Sequence, residues 1–101
     1  MHAHTLAPSG EGTVVLDIGG EVGALVLHVA AGLDGREIDL YPAGSTEACM
    51  HSAVRRRDVP GGHRFAAVYP AVPAGEYVLE GSSQPVSVRG GEVTEVEYLG
   101  S

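Results

Sequence analysis

Along this chain, β-branched and aliphatic residues come in short runs broken at regular intervals by glycine and proline, a pattern of strands and tight turns. The runs predict strands over residues 13–18, 22–29, 37–41, 51–59, 64–69, 76–80, 86–89 and 93–98. The breaks have local causes. Gly19-Gly20 and Gly90-Gly91 permit positive φ in tight hairpins, and Pro60-Gly61-Gly62 reads as a turn in which proline presets φ. Residues 30–36, AAGLDGR, have room for one helical turn, and their two glycines argue against a longer one.

Two patterns predict how the strands are layered. In EVTEVEYL, residues 92–99, Val93, Val96 and Tyr98 mix with Glu92, Glu95 and Glu97, which implies one buried and one solvated side with a slip near Thr94 that marks a bulge. In GALVLHV, residues 23–29, the apolar run is continuous, as in a central strand covered on both faces. Two stacked sheets satisfy both patterns. The expected fold is therefore all-β, a two-sheet antiparallel β-sandwich of seven or eight strands over residues 12–99. Residues 1–11, MHAHTLAPSGE, have too little apolar content to order themselves and read as a flexible tail.

At 101 residues, 44% of them hydrophobic, the chain suits one domain with one core. All six of its positive charges are arginines, and against thirteen Asp and Glu they leave a formal charge of −7. That is the wrong sign for a protein that gains affinity by neutralising phosphates, so nucleic acid is not an expected partner. No apolar run approaches the roughly eighteen residues that span a bilayer, and the N-terminus shows no basic and apolar leader pattern. The single cysteine, Cys49, cannot form an internal disulfide. These features lead to the expectation of a cytoplasmic protein away from membranes.

Residues 65–98, FAAVYPAVPAGEYVLEGSSQPVSVRGGEVTEVEY, resemble the closing half of prealbumin-like (transthyretin-like) β-sandwich modules, including the Cna-type B domains and carboxypeptidase regulatory-like domains. The matching pieces are Val72-Pro73-Ala74-Gly75-Glu76-Tyr77, a short Val-x-Val strand, a Gly-Gly turn and a last strand of alternating Val and acidic residues. Residues 23–41 look like the first hairpin of such modules. The resemblance implies an immunoglobulin- or prealbumin-like sandwich in which the tyrosine after the Pro-Ala-Gly turn packs in the core. The Lys-to-Asn crosslink found in Cna-type domains is excluded, because the chain contains neither residue. More loosely, the whole chain resembles small standalone proteins of high-GC actinobacteria that pair a His-bearing tail with GTVVLDIGG, GALVLH and RGGEVTEVEY. That likeness brings no activity with it.

No serine lies in the Gly-x-Ser-x-Gly elbow of a hydrolase, and the glycine pairs precede strands rather than helices, so no phosphate-binding helix terminus is expected. Cys49 has His51 and His63 as the only nearby imidazoles that would sustain a thiolate, and it reads as an inert thiol. The chain is thus expected not to be an enzyme. Two other functions compete.

One is transition-metal binding. His2 and His4, with the α-amine, place borderline nitrogen donors where a flexible chain can wrap copper, nickel or zinc. Cys49 and His51 point to one side of an extended strand and would form half a tetrahedral site, completed by a second subunit. His63 falls beside Asp58 or Val59 across the 60–62 turn, roughly 20 Å from His51 at about 3.3 Å per residue, so those two histidines do not share a site. His28, at the end of its apolar run, reads as a hydrogen-bonded histidine at a sheet edge.

The other function is protein recognition. Arg55 and Arg57 share one face of their strand, Arg56 takes the other, and Arg64 on the partner strand joins the first pair in a cationic cluster. Such a cluster suits a carboxylate, a phosphate or an acidic partner segment. The competing reading is that these arginines pair with surplus Glu and Asp nearby. The remaining acidic residues show no calcium-loop spacing and read as a solubilising surface. Open sheet edges offer a further route to a protein partner or to self-association. The expected function is therefore a small non-enzymatic binding module for proteins, with no fixed cofactor; metal binding through His2 and His4 is the alternative.

Overall fold

Alternation along the strands divides the side chains between two faces, and the apolar sets of two sheets close on each other. The computed structural model describes residue 16 and residues 18–100. Its elements are β1 (Val22–Val29), a 3-10 turn at Ala31–Leu33, β2 (Glu37–Pro42), β3 (Met50–Ala53), β4 (Arg55–Val59), β5 (Gly62–Pro73), β6 (Gly75–Leu79), β7 (Gln84–Val88) and β8 (Val93–Glu97). They form two four-stranded sheets in the orders β4-β5-β1-β8 and β3-β2-β6-β7. The core packs Leu25, Leu27, Ala67 and Tyr69 of the first sheet on Ile38, Leu40, Tyr77, Leu79, Val86 and Val88 of the second. The fold is thus the two-sheet β-sandwich expected from the pattern. Among the described residues, no helix is long and apolar enough to cross a membrane.

Three tyrosines tie the layers together through their hydroxyls. Tyr69, fully buried on β5, donates to the Ile38 carbonyl of the opposite sheet at 2.6 Å. Tyr98 donates to the Glu80 carbonyl and Tyr77 to the Pro73 carbonyl, each at 2.6 Å. Burial, followed by the nearby charges of Asp39 and Glu80, holds the Tyr69 phenol far above its ordinary range. Tyr77 is shifted in the same direction, again first by burial. Both stay neutral donors at any physiological pH.

Several expectations need correction. Residues 51–59 are not one strand. The chain breaks at the fully buried Val54, whose N–H donates to the Arg36 carbonyl and whose carbonyl accepts from Gly35 N–H, both at 2.8 Å. Met50–Ala53 therefore belongs to the second sheet and Arg55–Val59 to the first. A corner satisfied by hydrogen bonds from a distant loop leaves no mark in the local pattern. β5 runs well past Tyr69, through Pro70 to Pro73. Its register against β1 shifts between Gly23 and Leu25, so Pro70 and Ala71 together face Ala24, and a bulge accommodates the proline's missing donor.

The bulge expected near Thr94 is absent. β8 pairs with β1 in unbroken register from Ala24↔Val93 to His28↔Glu97, with Thr94, Val96 and Tyr98 inward and Val93 outward at 42% exposure. This pairing is parallel, a departure from the all-antiparallel expectation, because the chain crosses from β7 in the other sheet before lying beside β1. Gly90-Gly91 is accordingly a crossing between sheets and not a hairpin. A Cβ on Gly90 would collide with the Gly20 carbonyl oxygen, so the two glycine turns meet backbone to backbone. β1 is interior to its sheet as expected, but Val26 and His28 are only half-buried on its outer side. Of the strand expected over residues 13–18, Leu16 and Ile18 lie in no strand and the others fall outside the described residues, as does the tail expected over residues 1–11.

Candidate functional site

The outer face of the first sheet carries the charge pattern that distinguishes this chain. The turn after Val59 is set by Gly61 at φ +86°, a left-handed conformation that favours glycine, and it returns the chain as β5. The resulting register pairs Asp58 with His63, Arg57 with Arg64, Arg56 with Phe65 and Arg55 with Ala66. Directly opposed residues of an antiparallel pair share a face. Arg57 and Arg64 are therefore neighbours on the outer side, with Arg55 two residues along on the same side, as the alternation predicted. Arg56 takes the other side, where Phe65 reaches the core and the Arg56 Nε lies 3.9 Å from Asp58 Oδ1.

Arg55 and Arg64 are exposed, and Arg57 is half-buried. Burial, then the charge of Arg55, lowers the pKa of the Arg57 guanidinium, which still stays charged at neutral pH. Like charges directly across a ladder are in general a less favourable pairing than a polar or acidic residue opposite an arginine. Residues 55–64 hold four of the chain's six arginines and one acid, Asp58. A locally cationic hairpin thus stands in a chain of net charge −7.

Across the same face the sign reverses. His28 Nε2 lies 2.8 Å from Glu95 Oε1, and Glu97 stands opposite His28 in the register. The His28 Nδ1 atom is buried without a hydrogen-bond partner. An open cleft of about 360 Å³, lined by His28, His63, Arg64, Phe65 and Glu97 among others, joins the cationic and acidic flanks. His63 stands edge-on to Phe65, with ring centroids 5.6 Å apart. A second cleft of about 570 Å³ lies at the Val54 corner, where Arg55 and Arg56 meet Asp34 and Glu37.

The metal candidates are scattered. His2 and His4 lie outside the described residues. Cys49 is exposed ahead of β3, its thiol 3.4 Å from the Leu40 carbonyl oxygen that also accepts its own N–H. His51 stands on the second sheet, 3.9 Å from a Glu37 oxygen, while His63 is on the first; the single strand on which their expected separation rests is split at Val54. Among the described residues, no three His, Cys, Asp or Glu side chains gather to hold a metal ion.

His28 is hydrogen-bonded as predicted, but in a sheet interior and not at an edge. Sequence reasoning missed its pairing with Glu95 and the cleft beside it. Both depend on β8 lying parallel to β1, which no local signal announces. No protein-family model, curated protein or solved structure matches this chain.

Proposed function

We propose that this protein is a non-enzymatic binding module that docks an acidic segment of a protein partner on the β4–β5 hairpin. The observation that carries the reading is the placement of Arg57 directly opposite Arg64, with Arg55 beside them, in an otherwise acidic chain. A pairing of like charges is generally unfavourable, and a partner's carboxylates would offset it on binding. Arginine suits that role, because its planar fork takes a carboxylate in two parallel hydrogen bonds. The likeness of residues 65–98 to prealbumin-like modules bears on the sandwich scaffold alone, because fold does not carry function with it. The exposed, unbridged Cys49 suits a reducing compartment, so we take the module to act in the cytoplasm.

The test is fluorescence anisotropy of a labelled glutamate-rich peptide against the protein and against Arg55→Ser/Arg64→Ser. The expected result is binding that weakens with salt and falls about tenfold in the variant. Equal binding by both proteins overturns the reading.

A further inference from the structure

We infer that the partner's acidic segment binds as an added β-strand along the open edge of β4, an inference that rests on the reading just proposed. Each sheet has two edges, and the four differ in what they offer. On β7, Pro85 removes a backbone donor from the ladder. On β8, the Gln84 side chain occupies the edge, donating to the Glu97 carbonyl at 2.8 Å and accepting from Leu99 N–H at 2.9 Å. β3 is a strand of only four residues. β4 carries none of these blocks: it has five residues in continuous register with β5, no proline, and is the last strand of its sheet among the described residues. Its outward N–H and C=O groups form a regular template for another strand.

The arginine run specifies which strand. Alternation places Arg55 and Arg57 on one side and Arg56 on the other, so the run cannot form a single patch on a flat surface. An incoming strand alternates in the same way. Consecutive acidic residues on it would place carboxylates against Arg55 and Arg57 on the outer side and against Arg56 on the inner side, one arginine to each. A run of adjacent arginines on an edge strand is thus matched by a run of adjacent acids on an added strand. Asp34 and Glu37, beside Arg55 and Arg56 in the corner cleft, would repel acids placed beyond Arg55 and so limit the register.

The experiment titrates three labelled, capped peptides against the full chain: Thr-Val-Glu-Glu-Glu-Val-Thr, the same peptide N-methylated at alternate residues, and one whose glutamates alternate with threonine. N-methylation keeps every charge but removes main-chain donors and blocks strand pairing. The expected result is binding by the first, a loss of about tenfold or more on methylation, and a weaker loss on spacing the acids apart. Amide exchange should slow along residues 55–59 when the first peptide binds. Equal binding of the methylated peptide, with no slowing along β4, overturns strand addition and leaves the arginine site standing. No binding by any of the three overturns the arginine site itself.

Discussion

Replacing Arg64 with glutamate is expected to stabilise the fold while weakening partner binding. In the structure Arg64 is exposed and directly opposite Arg57, with which it shares a face. Directly opposed residues have Cβ atoms about 5 Å apart; unit charges at that separation in a water-like dielectric repel by about 0.8 kcal/mol, the upper limit for long side chains that can splay apart, and screening at physiological ionic strength roughly halves this. Arg64→Glu removes that repulsion and substitutes an attraction of similar size, reduced by the entropy of holding two long side chains together. A net gain of about 0.5 kcal/mol follows, within the usual range for a cross-strand ion pair. Urea denaturation at low and high salt measures it, with a rise in midpoint at unchanged slope and a gain that shrinks as salt is added. On heating, the same gain raises the melting temperature by roughly 2–4 °C for a domain of this size. A variant less stable than the parent at low salt, or a gain indifferent to salt, would refute the reasoning.

Other outcomes follow from the core, the turns and the tail. Tyr69→Phe should cost about 1–3 kcal/mol in denaturation, more than Tyr77→Phe, because it removes a buried bond between sheets while the Tyr77 bond is local and partly exposed. Because the folded pKa of Tyr69 is raised, its contribution is fully present below the unfolded value of about 10 and is lost as pH climbs above it. The parent should therefore lose stability above about pH 10, more steeply than Tyr69→Phe does. Gly90→Ala should cost at least about 2 kcal/mol, since the added methyl meets the Gly20 carbonyl, whereas Gly61→Ala, strained in φ but open to solvent, should cost about 1 kcal/mol. If His2 and His4 bind copper, nickel or zinc, calorimetric uptake will vanish on deletion of residues 1–9; uptake that survives would move the site to Cys49 and His51.

What could be read from the chain was local. Period-2 alternation is legible along β2, β6 and β7, where Ile38 and Leu40, Tyr77 and Leu79, and Val86 and Val88 turn inward, because each run needs only its own residues to show which side is apolar. The Pro60-Gly61-Gly62 turn locates the hairpin but leaves its register open between Asp58 and Val59 opposite His63; the Asp58–His63 pairing of the structure decides it and brings Arg55, Arg57 and Arg64 onto one face. What could not be read was decided at a distance. Val54 turns the chain between sheets because the backbone of Gly35 and Arg36 satisfies it, and nothing between Met50 and Val59 reveals those partners. His28 meets Glu95 because β8 returns to lie parallel to β1. Pro70 passes inside a strand because a bulge opposite Ala24 relieves it of a donor.

That parallel seam also sets an order of events during synthesis. It joins Ala24 to Val93, 69 positions later, whereas the β4–β5 hairpin closes across its own turn. Loop closure over so long a stretch is entropically slow, so the seam is expected to form after the local hairpins, once β8 has left the ribosome. Until then β1, an eight-residue run of mostly aliphatic side chains, has one flank unpaired. During this interval an apolar strand flank is open to other chains, and the arrival of β8, with its glutamates turned outward, closes it.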